Sequence, residues 1–218
     1  DSADPNGQNA PVEECVETAK AVCEAIDKPL VIAGCKSIEK DAALFEKIAE
    51  ALQGKNVLYL SAREENYKGV AAAVGLAYGQ KVGAESAVDI NLAKQLNVLI
   101  SQIGLDTKNV VMNVGSAAAG YGLEYVISTM ERVCSAALTQ NDTMLQMPII
   151  TPVGAETWSV KESVATEEDM PQWGDQEQRG ISMEITTAAA VLAAGSCAVI
   201  LRHPASIETI SGLIRELI

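Results

Sequence analysis

The sequence of 218 residues predicts an α/β fold, most of a parallel strand–helix barrel, and three observations point to it. Six short apolar runs recur along the chain, each ending in a polar or glycine-containing turn that opens toward an amphipathic helix. Most of these runs are continuously apolar and do not alternate, as strands covered on both faces should be. In folds of this kind the chemistry gathers where the strands end, on the C-terminal side of the sheet.

The first nine residues (DSADPNGQN) have turn chemistry throughout, and Pro11 then suits the first position of a helix. Val12, Cys15, Val16, Ala19, Val22, Cys23 and Ile26 give that helix one apolar stripe. Strand 29–34 (PLVIAG) leads to a second helix with Leu44, Phe45, Ile48, Ala49 and Leu52 on one face, stopping before Gly54. Strand 56–61 (NVLYLS) leads to a third helix that begins near 63–67. Its small residues at 70–77 predict tight packing on the sheet. Strand 81–85 (KVGAE) precedes a fourth helix, with Ser86 and Asp89 as a capping pair and Ile90, Ala93, Leu96, Ile100 and Ile103 as its stripe. Strand 109–113 (NVVMN) runs into a glycine-rich turn at 115–122. The fifth helix buries Leu123, Val126, Ile127, Met130, Val133 and Cys134. Strands 147–151 (MPIIT) and 197–201 (CAVIL) follow, and a last helix from Pro204 buries Ile207, Ile210, Leu213, Ile214 and Leu217.

A helix behind a polar loop implies a strand before that loop, so 1–218 reads as a single barrel domain that starts partway through a unit. Against an eight-stranded (β/α)8 barrel, two strands are missing. Such a fragment would expose sheet edges and part of its core, and on its own should aggregate or remain poorly folded; a monomer with one sharp, reversible unfolding transition would contradict the eight-strand reading. One connection breaks the rhythm. Between Thr151 and a helix near Ile181 lie about 30 residues, far above the usual two to six. Within it, the acidic stretch 155–181 carries both tryptophans, Trp158 and Trp173, and 156–164 has the pattern of an extra helix. A lid or a partner contact fits there; the plainer alternative is a surface excursion pinned by its two tryptophans.

Sixteen basic residues against 29 acidic ones leave a net charge of −13, which argues against nucleic acid as a partner. Most of that charge is expected to serve as a solvated surface. The five cysteines form no C-x-x-C pair, so reduced thiols are expected, with no iron–sulfur or zinc cage. The most apolar stretch, 186–201, is short for a membrane span and is broken at Gly195 and Ser196. With no signal peptide before the first strand, the expectation is a cytoplasmic protein without a membrane partner.

The strand ends supply Cys35, Ser61, Arg63, Glu64, Asn66, Glu85, Asp89, Asn91, Asn113, Gly115, Thr151, Arg202 and His203. The set is rich in amides and poor in bases. His203, the sole histidine, is read as a cap for the last helix, and Cys35 as a small buried thiol. Asp89 is accounted for as first-turn charge, whereas Glu85 has no evident structural reason. The 115–122 run (GSAAAGYG) lacks the order of a phosphate loop, but its small residues let a flat ligand or a partner backbone approach.

Several strings together resemble one family. They are DPNG at 4–7, ENYK at 65–68, DINLAKQLN at 89–97, and GYGLEY at 120–125 continued by STMER at 128–132. Further on come MPIITPVG at 147–154, WGDQEQRG at 173–180 and RHP at 202–204. In order and spacing the series is similar to the small subunit of the corrinoid/iron–sulfur protein, also called the delta subunit of acetyl-CoA decarbonylase/synthase. The resemblance implies a TIM barrel paired with a large subunit that carries a [4Fe–4S] cluster and a corrinoid-binding domain. It further implies a corrinoid of cobalamin type shared between the two subunits. Methyl groups would pass from methyltetrahydrofolate or tetrahydromethanopterin, through a methyltransferase where one serves, to acetyl-CoA synthase in the reductive acetyl-CoA (Wood–Ljungdahl) pathway. The chain would then be a component of a methyl-transfer complex and not a catalyst by itself. On that footing Asn66, Asn113, Thr151 and Arg202 are the expected cofactor-binding residues, facing corrin amides or the partner. Family members often have Asp-Pro where this chain has Asn113 and Val114, so the turn after that strand differs. Two alternatives stay open: a free-standing barrel methyltransferase binding a methyl-pterin itself, and a purely structural scaffold subunit.

Overall fold

In the computed structural model, residues 9–217 are described. The expected turn at the start of the chain and the DPNG string at 4–7 therefore lie outside the described residues. Helix α1 (Val12–Ala25) is followed by β1 (Leu30–Ala33), α2 (Ile38–Ala51), β2 (Val57–Ala62) and α3 (Tyr67–Val70). Next come β3 (Lys81–Glu85), α4 (Ile90–Gln102), β4 (Val110–Asn113) and α5 (Leu123–Thr139). The remainder comprises β5 (Ile150–Thr151), α6 (Val153–Thr157), α7 (Lys161–Val164), α8 (Gln176–Ala193), β6 (Ala198–Val199) and α9 (Pro204–Leu217). All six strands fall where the apolar runs predict them, and every strand pairing is parallel.

Two compact units result. The first runs to Ser86 and takes in Asn91–Asn113; the second comprises Ala87–Ile90 and the chain from Val114 onward. In the first, β1 to β4 lie side by side in sequence order. Tyr59, Val57, Leu60 and Ala62 of β2 are buried, and Tyr59 meets Phe45 of α2 edge-on, with ring centroids 5.6 Å apart. Burial pushes the Tyr59 hydroxyl well above the ordinary tyrosine range, because the phenolate would lose its hydration. The side-chain amide of Gln80, itself buried, donates to the carbonyls of Ala49 and Leu52 at 3.0 and 3.1 Å and so satisfies the open end of α2. All five apolar residues expected on the inner face of α2 are buried.

The small residues at 70–77 do pack tightly, but as α3 followed by a π-helical segment, Ala71–Ala77. A Cβ on Gly75 would come within 2.7 Å of a Leu105 methyl, so a larger residue there would have to push that side chain aside. Ser86 is not the cap expected for α4. Its amide donates to the Asn113 carbonyl at 3.0 Å, its side chain is buried, and the helix begins only at Ile90. Strand pairing after β3 has outcompeted local capping.

In the second unit β5 pairs with β6 over two residues each. The long connection is shorter than expected because α8 begins at Gln176, where Asp175 caps it by accepting from the Gln178 amide at 2.8 Å. The extra helix expected at 156–164 is split into α6 and α7. The last helix is where expected, yet of its predicted stripe only Ile210 is buried; Ile207, Leu213, Ile214 and Leu217 stay exposed. The stripe of α1 is likewise open, with Ala19 its one buried member. Periodicity correctly marks these faces as apolar, but α1 packs on α2 and α9 on α8 without burying most of either stripe. No described helix is long and apolar enough to cross a membrane.

Candidate functional site at the strand ends

The sheet of the first unit ends in a connected rim. Arg63, just past β2, reaches Glu85, the last residue of β3, at 2.9 Å, and both side chains keep roughly a quarter of their surface exposed (28% and 21%). Asn66 turns back on the same loop: its Oδ1 accepts from the Arg63 amide at 2.8 Å, which fixes the backbone that presents the guanidinium. Asn113 lies opposite Glu85 in the β3–β4 register and is buried. Two residues the sequence offered separately, Asn66 and Glu85, thus meet at Arg63, and Asn113 is the ladder neighbour of Glu85. Glu85, which had no evident structural reason, has a cationic partner in Arg63.

At the neighbouring strand end, Cys35 is only half-buried, not the buried thiol expected, and its backbone amide donates to Asp41 Oδ1 at 2.7 Å. Asp41 is itself buried, on the first turn of α2. A Cβ on Gly34 would fall 2.5 Å from the Asp41 carboxylate, so the turn needs glycine there.

The second unit builds its strand ends differently. Thr151 is completely buried, and its hydroxyl lies 2.8 Å from that of Ser196. Since Ser196 donates to the Ala198 carbonyl at 2.9 Å, Thr151 is the donor of the pair. Glu184, on the inner face of α8, is also completely buried. Its two oxygens accept the backbone amides of Arg202 at 2.6 Å and His203 at 3.2 Å. Gly154 leaves room for this carboxylate; a Cβ there would be 2.9 Å from both Glu184 Oε1 and the Arg202 amide.

His203 caps α9 as the sequence implied. Its Nδ1 accepts from the Ala205 amide at 3.1 Å, so the ring proton sits on Nε2 and is donated to Glu177 at 3.0 Å. The imidazole stacks on Trp158 with centroids 5.7 Å apart and planes 21° apart, while the Arg202 guanidinium lies 5.9 Å from the same indole. Arg202 is exposed, and with Trp158, Gln176 and Glu177 it borders an open groove of about 490 Å³. Trp158 packs against Gly180 of α8, where no Cβ would fit.

The acidic loop is fastened by Arg179, whose guanidinium donates to the carbonyls of Glu162, Ala165 and Gly174. Trp173 stands 5.4 Å from Lys161 and 5.8 Å from Arg179. Tyr121 donates to Glu162 at 2.7 Å; this bond raises the tyrosine above its ordinary range and lowers the carboxyl below its own. Burial raises the Cys134 thiol. Among the described residues no group of three or more His, Cys, Asp or Glu side chains is placed to hold a metal ion.

Sequence reasoning missed Glu184 and Asp41. Glu184 had a readable signal, since it falls three residues after Ile181 and three before Thr187, on the stripe that α8 buries. A carboxylate on such a stripe needs partners, and here they are backbone amides.

The family of the CO dehydrogenase/acetyl-CoA synthase delta subunit matches residues 1–198. Among curated relatives, the acetyl-CoA decarbonylase/synthase complex subunit delta of Methanopyrus kandleri is 35% identical over 210 residues, 96% of this chain and 51% of that protein. Subunit delta 1 of Methanosarcina thermophila is 30% identical over 99% of this chain and 50% of its own length. The chain thus spans about half the length of the curated relatives it matches. Among solved structures, dihydropteroate synthase from Stenotrophomonas maltophilia with active site-bound imidazole has a TM-score of 0.64 at 11% identity, over 98% of this chain and 78% of that one. The DHPS of Yersinia pestis with a pterine–sulfa conjugate has a TM-score of 0.58 at 13% identity, over 92% of this chain and 72% of that one. These two likenesses show the fold, a TIM barrel with a partial set of strands.

Proposed function

Because this chain belongs to the CO dehydrogenase/acetyl-CoA synthase delta-subunit family, we propose that it helps to house a corrinoid of cobalamin type within an acetyl-CoA decarbonylase/synthase complex. Its partner is a large subunit that carries the [4Fe–4S] cluster, and the pair serves methyl transfer from a methyl-pterin to acetyl-CoA synthase in the cytoplasm. When bound, the corrinoid supplies the cobalt that carries the methyl group. The observation that carries this reading is how the titratable groups of the strand ends are used. Glu85 holds Arg63, Glu184 holds two backbone amides, and both His203 nitrogens are engaged. Groups committed in this way shape and orient a surface; they are not poised to move protons.

In this reading Asn113 and Arg202 face corrin amides or the partner, Arg202 with its guanidinium over Trp158. Asn66 and Thr151 act through others, Asn66 by setting the turn of Arg63 and Thr151 by holding the end of β5. Co-purification of the full-length polypeptide with its large subunit tests the proposal. Stable corrinoid absorbance is expected in the pair and in neither component alone; a large subunit that retains corrinoid equally well by itself would sink it.

A further inference from the structure

The Arg63–Glu85 pair is underused as a structural device. A partly exposed ion pair adds little to stability, yet this one bridges two adjacent strands at the rim where barrels bind their ligands. Neither side chain has another partner among the described residues, and Asn66 fixes the backbone of Arg63 from below. The geometry sets a guanidinium beside a carboxylate, with 28% and 21% of the two side chains reached by solvent. That edge is a donor next to an acceptor. Its complement is a primary carboxamide, whose carbonyl takes the Arg63 hydrogen bond while its NH2 donates to Glu85. A carboxylate ligand would meet repulsion from Glu85, and an ammonium would meet it from Arg63.

We propose that Arg63 and Glu85 form a carboxamide-reading pair on the sheet rim. This rests on the corrinoid reading above, in which the carboxamides are those on the periphery of the corrin ring. Arg63 is the direct contact, Glu85 both orients it and reads the amide, and Asn66 is a positioning residue.

The test uses the full-length polypeptide with its large subunit, stripped of corrinoid and titrated spectroscopically with two probes. Dicyanocobinamide bears carboxamides, and dicyanocobyrinic acid bears carboxylates in their place. Wild type should prefer the amide form by about tenfold or more. Glu85→Gln should collapse that preference by lifting the repulsion of the acid, while Glu24→Gln, the same charge change on the exposed face of α1, should leave it in place. Arg63→Met should weaken cobinamide by about tenfold without improving the acid. If Glu85→Gln and Glu24→Gln shift the amide-to-acid ratio alike, or not at all, the pair is structural and the inference falls, while the corrinoid reading stands. If wild type binds neither probe, the corrinoid reading itself fails and the inference goes with it.

Discussion

Two buried carboxylates do the same work in the two units, and the difference between them is instructive. Asp41 holds one amide, that of Cys35, six residues away on the turn that precedes its own helix. Glu184 holds two, those of Arg202 and His203, across 18 and 19 residues. The first unit has four strands in register, with ladders up to four pairs long, so its strand ends are already positioned by backbone bonds. The second has a ladder of two pairs and assigns the same task to side chains: Glu184, the Thr151–Ser196 hydroxyls and the Trp158 stack. Where the ladder is short, a buried side chain becomes the element that fixes the loop. Its loss should then cost more.

Three measurements would break or sharpen that comparison. The largest effect belongs to Glu184→Ala, which leaves the part-buried Arg202 and His203 amides without their acceptor, each costing about 1–3 kcal/mol. A drop of about 3 kcal/mol in unfolding free energy is expected from denaturant titration, with altered Trp158 fluorescence as the Arg202–His203 turn shifts. A loss below about 1 kcal/mol would mean that the turn is held by something else. Asp41→Ala removes one acceptor in a unit with an intact ladder, and a loss of about 1–2 kcal/mol is expected by the same measurement. Should it equal or exceed Glu184→Ala, the contrast between the units disappears.

The smallest effect is at the surface tie between Tyr121 and Glu162. The hydrogen bond lowers the Glu162 carboxyl in the folded state, so its stabilisation is fully present above the ordinary carboxylate pKa. It is lost as pH falls through the lowered value. Thermal unfolding of Tyr121→Phe should match wild type in acid and fall slightly below it near neutral pH. A difference that persists unchanged below about pH 3 would assign the effect to packing instead.

Much of this molecule was legible in its sequence, for a local reason. Strands 29–34, 56–61 and 81–85 are continuous apolar runs, and α2 and α5 bear stripes of period 3.6; both signals arise from neighbouring residues and survive without knowledge of the whole. His203 as the cap of α9 was legible for the same reason, since a cap joins residues two positions apart. Fates that depend on distant partners were not. Ser86 had the pattern of a cap but was claimed by Asn113 across the sheet, and the stripe of α9 was apolar yet left mostly exposed.

The candidate site divides along the same line. The sequence alone determined that Asn66, Glu85, Asn113, Thr151 and Arg202 lie at strand ends, because position along a β–α repeat is periodic. Only the tertiary structure decided that Glu85 meets Arg63, that Thr151 is sealed against Ser196, and that Glu184 reaches from α8 to the turn before α9. Those choices depend on strand register and helix packing, which bring together residues tens of positions apart, and no local pattern encodes such a distance.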